Sequence, residues 1–338
     1  MAIPAPGSDT ARPLGSLPLP ARARPPLAWL GPARDYLGLV LLGVVLWLLL
    51  SRTNAFYSSV LASILIWTIA GSGLNIIAGL GGYPSLVQGA FYAIGAYGAT
   101  LALMHGWPLW QACLLAIAAS AFAGFVIGLI LSRTRGQYFA IGTMFFGVVV
   151  EIVLTNWQSL TNGQLGLDVP LAFASMDQLN VAIAVTTIVS LMLVRLVGRR
   201  RFGLRLMTIR EDEDLAEHLG VPTARIKLAG FVVSAIFGGV AGVLIAQYNG
   251  TISPALFDYY VGFVMFVALS VGGAGRILGP LLGSVFIVGL PDILNLSSGI
   301  GQLVVGLIFV VVIIVIPGGF MSAIDGAIAF VTKRRGRR

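Results

Sequence analysis

The sequence is poor in charged residues, in cysteine and in histidine. Only 10% of its 338 residues are charged, and it has one cysteine and two histidines. A single cysteine cannot form an internal disulfide, and His105 and His218 do not have the spacing of a metal site. The sequence also lacks a GxxxxGK(S/T) phosphate-binding loop and a GxSxG nucleophile motif. We therefore expect no catalytic residue, no metal and no cofactor in this chain.

Apolar residues, in contrast, make up 57% of the chain, and the mean hydropathy is +0.94. This composition is typical of membrane proteins, in which about 20 consecutive apolar residues cross the bilayer as a helix. We predict an all-α fold, a polytopic transmembrane helical bundle of about 10 spans, near residues 36–51, 57–80, 85–104, 108–131, 138–155, 179–197, 228–248, 255–272, 277–295 and 300–317. Glycine or proline interrupts two of these segments, and whether 85–104 is one continuous span is left open.

Positive charge indicates how the spans are oriented, because cytoplasmic loops carry an excess of Lys and Arg. With ten spans and with both the N- and C-termini cytoplasmic, every Lys and Arg except Arg52 lies on the cytoplasmic side. The net charge of +8 then follows from topology and contact with anionic membrane lipid, and we expect no nucleic-acid partner. The predicted organisation is a disordered cytoplasmic tail (1–35), a transmembrane domain (36–332) with a polar cytoplasmic loop (198–227), and a basic cytoplasmic tail (333–338).

The polar loop contains a short predicted helix, from Arg210 to Gly220. Thr208 and Glu211 have the spacing of a capping box, and four consecutive acids occupy the first turn, where the helix dipole favours them. Gly220 and then Pro222 are typical of a helix end. A helix that projects from a membrane body into solvent is typical of an element that a partner binds. Its acidic face disfavours the alternative, a helix lying on anionic lipid.

A glycine-rich run from Gly79 to Tyr97 indicates a second special element. Loop residues lead into Ser85, which is a suitable N-cap, and a helix of small residues follows. One interpretation is a helix that starts at membrane depth, as in the broken helices that line substrate paths of transporters. The other is a tight turn between two complete spans. The sequence leaves both open.

Five runs occur in series between Trp67 and Pro317: GLNIIAG to GAY (73–97), RGQYFAIGT (135–143), TNGQLGL (161–167), FGLR, IRE and KLAGF within 202–231, and VGGAGRILGP (271–280). Together they resemble the signature of the inner-membrane permeases of branched-chain amino acid ABC importers. The RGxYFA and IRE patterns are more similar to the longer of the two permease types. Pro84, Val87 and Gln88 depart from the commoner pattern, which leaves the substrate less certain than the mechanism.

The resemblance implies a permease subunit that does not catalyse, in the bacterial inner membrane. It implies a homologous permease subunit as partner, two ATPase subunits that bind ATP and Mg, and a periplasmic solute-binding protein. ATP binding in the ATPase subunits would switch the spans between outward and inward access. The substrate would be a branched-chain or related small amino acid, although urea and short-chain amides are carried by similar permeases.

The resemblance also assigns roles to residues. The helix Ile209–Leu219 becomes the coupling helix, which docks into a groove of the ATPase. Leu215 and Leu219 share one face and fit such a groove, while the acids of the first turn would meet basic groups around it. The predicted coupling residues are Arg205, Arg210, Glu211, Asp212, Leu215, Ala216, Leu219 and Gly220.

Two further sets of residues are predicted. The translocation pathway would involve Gly81, Gly82, Ser85, Gln88, Gly95 and Glu151, near the cavity entrance or inside spans. Docking of the binding protein would involve three acids of the outer loops, Asp168, Asp177 and Asp258. An ordinary exposed loop is the competing interpretation for this last set.

Two other classes of function remain as alternatives. An ion-coupled secondary transporter would need acids inside the membrane, chiefly Glu151, and the sequence is poor in them. A membrane scaffold without a pathway would tolerate bulky residues in segment 79–98.

Overall fold

The computed structural model describes residues 32–52, 54–293, 306 and 319–322. This part of the chain is almost entirely helical, as predicted. Its α-helices are α1 (Pro32–Arg52), α2 (Ala55–Leu74), α3 (Gln88–Met104), α4 (Leu109–Leu131), α5 (Gly136–Asn156), α6 (Gln158–Thr161), α7 (Met176–Arg199), α8 (Arg201–Glu211), α9 (Glu213–His218), α10 (Thr223–Asn249), α11 (Tyr259–Gly272), α12 (Gly279–Ser284) and α13 (Leu290–Ile293). Two π-helical segments, Asn75–Leu80 and Val285–Gly289, continue α2 and α12. The described residues also include two 3₁₀ turns, Gly163–Leu165 and Pro254–Phe257. They include two short strands, β1 (Leu167–Asp168) and β2 (Thr251–Ile252).

Six helical segments are long and apolar enough to cross a membrane: Phe56–Leu80, Leu109–Leu131, Gly136–Asn156, Met176–Arg199, Thr223–Asn249 and Pro254–Gly272. Each coincides with a predicted span. The apolar stretches Gly38–Leu50 and Gly279–Gly289 are shorter, and α3 has 17 residues. The predicted span 300–317 lies almost wholly outside the described residues. The chain is thus a multi-pass membrane protein, while the total of about ten spans and the cytoplasmic termini remain predictions.

Two predicted boundaries are wrong. Helix α1 begins at Pro32, so residues 32–35 belong to a helix and not to the predicted N-terminal tail. Helix α3 begins at Gln88 after Val87, so Ser85 lies before the helix and does not cap it. From Gln88 to Met104 the helix is continuous over 17 residues, and whether segment 85–104 crosses the membrane as one span stays open. The remainder of the predicted tails, 1–31 and 333–338, lies outside the described residues.

Close approach between α3 and α10 organises the bundle. A Cβ atom placed on Gly95 would lie 2.2 Å from the carbonyl oxygen of Gly239, and one on Gly242 would lie 2.1 Å from that of Tyr92. The two backbones therefore touch, and only hydrogen fits between them. In a membrane, where apolar burial does not drive helix association, such backbone contact and dispersion hold helices together.

Aromatic rings fill the space beside this contact. Phe231 of α10 packs edge-on against Phe91 of α3 and Phe139 of α5, with ring centroids 5.5 and 5.7 Å apart. Tyr83, in the loop before α3, packs against Phe139 at 5.3 Å. Helices α4, α5 and α7 lie at the periphery and expose many apolar side chains, as expected of surfaces that face lipid or another membrane subunit.

A small cap covers the end of the bundle at which α5 terminates. Strand β1 pairs antiparallel with β2, with Leu167 opposite Ile252 and Asp168 opposite Thr251. Because α5 rises about 30 Å from Gly136 to Asn156, this cap lies on the opposite side of the bundle from the polar loop next to Arg135. The fold therefore separates two polar surfaces by the thickness of a membrane.

The α3–α10 contact yields a stability prediction. We expect Gly95→Ala to destabilise the protein by about 1–3 kcal/mol, because the added methyl group overlaps a backbone carbonyl that cannot move freely. Gly98→Ala on the same helix is the matched control, since its Cβ would lie 3.5 Å from the nearest atom, in ordinary contact. Thermal unfolding in detergent measures both variants. Equal midpoints for the two would contradict the role assigned to the contact.

Candidate functional site

The polar loop folds as two helices, α8 and α9, and not as the single helix predicted over Ile209–Leu219. The break is at Asp212, whose backbone is extended, with φ −159° and ψ 109°. Its Oδ1 accepts a hydrogen bond from the amide of Leu215 at 3.0 Å and so caps α9. Thr208, the predicted cap, lies inside α8 and donates its hydroxyl to the carbonyl of Leu204. Thr208 cannot start a helix because α8 already began seven residues earlier, and Asp212 is the next suitable cap.

Helix α9 presents an apolar surface to solvent. The side chains of Leu215 and Leu219 are 56% and 70% exposed, while Ala216 beside them is fully buried against the body. Gly220, with φ +80°, ends the element as predicted. Two exposed leucines one turn apart, in α9 and at its C-cap, form a compact apolar surface, which we call the Leu215 face (Leu215 and Leu219). Their exposure agrees with the predicted outward face, and ATPase docking stays a prediction.

The acids of α9 pair with a basic residue of the body, and Glu213 alone among them is largely buried. Arg135, at the start of α5, contacts Glu213 at 3.2 Å and Glu217 at 3.0 Å, and it also pairs with Asp214. These contacts raise the pKa of the Arg135 guanidinium, with the hydrogen bond that it donates to Asp214 as the largest cause. We had expected the acids of this turn to meet basic groups of a partner. Instead, Glu213 and Asp214 pair with a basic residue of their own chain.

Glu213 is the most buried of these acids and makes the most varied contacts. One carboxylate oxygen pairs with the ammonium of Lys227, and the other accepts the hydroxyl hydrogen of Tyr83 at 2.5 Å. The Lys227 nitrogen also lies 4.4 Å from the centroid of the Tyr83 ring. Burial, then the hydrogen bond to Glu213, raises the pKa of Tyr83, so the phenol keeps its proton and remains a donor. We call Tyr83, Arg135, Glu213 and Lys227 the Glu213 cluster.

Arg210, near the end of α8, makes a second connection to the body. Its Nη1 donates to the carbonyl of Gly79 at 2.5 Å, at the end of the π-helical segment that continues α2. Gly82 has φ +74°, and a Cβ there would lie 2.6 Å from Cγ of Arg210, so the chain requires glycine at this position. The predicted residue Arg210 is therefore bonded within the chain, although it is exposed overall, as are Arg205 and Glu211.

Asn75 continues this connection into the glycine-rich loop after α11. Its side chain is fully buried; it donates to the carbonyl of Arg276 at 2.8 Å and accepts from the amide of Gly275 at 2.7 Å. The 73–97 and 271–280 runs thus meet in space. A buried amide with both of its functions satisfied fixes the relative position of two segments 200 residues apart.

The predicted pathway residues lie at three separate places. Gly81 and Gly82 lie beside α8, and Gly95 lies in the α3–α10 contact. Gln88 is buried, donates to the carbonyls of Ala70 and Ser234, and accepts from the Ser234 hydroxyl. These contacts give Gln88 and Gly95 a packing role.

Two of the predicted residues lie at helix or loop boundaries. Ser85 is buried in the loop before α3, and this loop is held by Thr143, whose hydroxyl oxygen accepts the amide hydrogen of Leu86 at 3.0 Å. Glu151 lies at the far end of α5 and accepts the amide hydrogen of Tyr259, the first residue of α11. Its carboxylate thus satisfies a helix N-terminus, a position where the helix dipole stabilises negative charge.

The three predicted docking acids all lie on the far side, in or near the cap. Asp168 is exposed on β1, Asp177 is exposed in the first turn of α7, and Asp258 caps α11 by accepting the amide hydrogen of Val261. The sequence analysis missed Leu165, which is 87% exposed in the same cap. The left-handed turn at Asn162 and Gly163 that presents it is visible in the sequence as an Asn-Gly pair.

Four contact residues had no predicted role: Asn75, Arg135, Thr143 and Lys227. All four lie inside runs that carried the family resemblance. Their partners are far away in the sequence, so spacing alone did not reveal what they contact. The only available signal was their position in those runs.

The fold and this site define a class: a multi-pass helical membrane protein with a short helix that exposes two leucines on one side and a polar cap on the other. Comparison with known proteins gives the family. Residues 56–316 match the family described as branched-chain amino acid transport system / permease component, and the chain belongs to it. This confirms the family inferred from the five runs, including its longer permease type.

Individual relatives agree with this assignment. The chain is 31% identical over 290 residues to the high-affinity branched-chain amino acid transport system permease protein LivM of Salmonella typhimurium, covering 76% of this chain and 68% of that protein. It is 30% identical to LivM of Escherichia coli with the same coverage, and 27% identical to LivH of Escherichia coli over 74% of this chain and 89% of that protein. No solved structure matches the chain significantly.

The break at Asp212 yields a prediction that separates the two candidate caps. Asp212→Ala removes the cap of α9 and is expected to cost about 1 kcal/mol locally, which raises amide exchange in residues 213–218 about fivefold. Thr208→Ala is the control and leaves exchange in α9 unchanged. Hydrogen–deuterium exchange measured by mass spectrometry tests both. Faster exchange in the Thr208 variant alone would restore the single helix predicted from the sequence.

Proposed function

We propose that this chain is a permease subunit of an ATP-binding cassette importer in the bacterial inner membrane. The main observation behind this proposal is the Leu215 face, an exposed apolar surface on a short capped helix outside the spans. Covering two exposed leucines is worth about 1.5–3 kcal/mol for each side chain. A groove on an ATPase subunit is the partner that the family resemblance supplies for this face.

The contacts of α8 and α9 with the body support the same proposal. A docking helix transmits force only if it is fastened to the element that it moves. Here Arg210 is bonded to Gly79, and Glu213 of α9 pairs with Arg135 and Lys227. ATP and Mg would bind in two ATPase subunits, and closure of those subunits would shift the spans between outward and inward access.

The partners on the other sides follow from the surfaces that remain exposed. A homologous permease subunit would pack against the peripheral helices, and the pathway would lie between the two. Helix α5 is suited to that position because most of its length is exposed and apolar. On the far side, the exposed Leu165 and the acids of the cap would receive a periplasmic solute-binding protein.

The proposed substrate is a branched-chain or related small amino acid, as the names of the relatives suggest. The alternative within the family is urea or a short-chain amide. An ion-coupled transporter is disfavoured, because Glu151 is engaged in holding the start of α11 near the end of a span. It is therefore placed as a capping group and not as an intramembrane ion site.

Copurification tests the proposed ATPase partner. We expect the chain purified from its native membrane in mild detergent to retain an ATPase subunit. We expect the Leu215→Asp variant to lose this subunit, because a charge replaces the apolar contact. Leu171→Asp is the matched control: Leu171 is 64% exposed, similar to Leu215, but follows β1 on the opposite side of the bundle. Mass spectrometry of the copurified proteins gives the result. Retention of the ATPase by the Leu215 variant would contradict docking on this face.

Uptake by proteoliposomes tests the energy source and the substrate. We expect proteoliposomes that contain the purified complex to take up labelled leucine, isoleucine or valine only when ATP is supplied on the side of the ATPase. Uptake in ATP-free vesicles under a proton or sodium gradient would instead establish an ion-coupled transporter. Uptake of urea or acetamide without uptake of the three amino acids would place the chain in the amide-transporting branch of the family.

A further inference from the structure

The Glu213 cluster joins parts of the chain that are distant in sequence. Glu213 belongs to α9, and Lys227 belongs to the second turn of α10. Arg135 precedes α5, and Tyr83 belongs to the loop before α3. The Lys227 nitrogen also lies 3.4 Å from the carbonyl of Thr134. A single carboxylate of the docking helix therefore contacts the cytoplasmic-side ends of three body helices or the loops that lead into them.

The cluster is more protected from water than an ordinary surface ion pair. The Glu213 side chain is 15% exposed and that of Lys227 only 3%, whereas the other two acids that pair with Arg135 are well exposed. Exposed ion pairs contribute little to stability because water and salt screen the two charges. Water does not reach a buried pair, so separating Glu213 from Lys227 would leave both charges without a partner. The Glu213–Lys227 contact therefore persists when α9 moves, and the body moves with it.

Tyr83 extends the cluster into the membrane part of the bundle. Its hydroxyl is bonded to Glu213, and its ring packs on Phe139, which packs on Phe231, which packs on Phe91 of α3. Phe91, Phe139 and Phe231 are each almost completely buried. Close-packed rings cannot absorb a displacement by compression, so a shift of Tyr83 must move its neighbours. The ring series leads from the docking helix to α3, the helix that follows the glycine-rich loop.

We propose that Glu213 is the positioning residue that transmits movement of the docking helix, through Tyr83, to the loop before α3 and to α3 itself. It faces the body and not the ATPase, so its role is distinct from that of the Leu215 face, which binds. The inference rests on the proposed function of the chain as an ABC permease. It assigns separate residues to attachment and to transmission.

The test measures the coupling ratio, the number of solute molecules imported per ATP hydrolysed, in proteoliposomes that contain the whole complex. Glu213→Gln keeps the shape of the side chain but removes the charge that holds Lys227. We expect the ATPase subunits to remain bound and to hydrolyse ATP, while the coupling ratio falls about tenfold, within the range of known coupling energies. Tyr83→Phe keeps the ring and the Glu213–Lys227 pair and removes only the hydroxyl that joins them to the loop. We expect it to lower the coupling ratio about threefold.

Glu217→Gln is the matched control, because it makes the same chemical change on the same helix and also removes a bond to Arg135, but at a site that is 58% exposed. Its coupling ratio should equal that of the unmodified complex.

A merely structural role for Glu213 would lower assembly and ATP hydrolysis together and leave the coupling ratio of the remaining complexes unchanged. This result would overturn the proposal. If the Glu213 variant does not assemble, the Tyr83 variant decides, and an unchanged ratio there overturns it as well. Absence of an ATPase from the unmodified complex would instead refute the proposed function.

Discussion

The charge on Lys227 must be balanced inside the protein, and the arrangement of the polar loop depends on this requirement. The side chain is 3% exposed at the start of a long apolar helix, where an uncompensated charge would cost about 3–5 kcal/mol. Glu213 supplies the opposite charge, and the Tyr83 ring lies against the ammonium group. In the structure the chain breaks after α8, and the extended backbone at Asp212 leads into α9 with Glu213 directed toward Lys227. The break at Asp212 therefore satisfies two needs: it caps α9, and it directs Glu213 to Lys227.

A second constraint is the close approach of backbones in the membrane. Where Gly95 meets Gly239, the helices have no side chains between them that could rearrange, so α3 and α10 move as one unit. Lys227 lies at one end of that unit, and Phe231 lies one turn farther along α10. If Glu213 transmits movement as proposed, it acts on this closely packed pair of helices. The glycines, which lower helix propensity, thus allow the backbone contact that joins α3 to α10.

The sequence predicted the features that depend on composition and short spacing. The six long apolar helices, the exposed pair Leu215 and Leu219, and the family were all correct. The errors concern competition between local signals. Thr208 has the spacing of a cap, but α8 already includes it; Ser85 has the chemistry of a cap, but it is buried before the helix begins. The Glu213 cluster was not predictable, because Tyr83, Arg135 and Glu213 come together only through the packing of separate helices.

The contacts of the acids divide α9 into a buried part and a solvent-facing part. Glu213, Asp214 and Glu217 share two bases, Arg135 and Lys227, and Asp212 accepts the amide hydrogen of Leu215. Toward solvent the helix presents the two leucines together with Asp214 and Glu217, whose side chains are 71% and 58% exposed. The leucines offer apolar surface, and exposed charges favour particular partners through long-range attraction. The buried Glu213–Lys227 pair fastens α9 to the membrane body, whereas under the proposed function the exposed leucines are left for the partner. The two attachments differ in their physical basis, so one can be altered without the other.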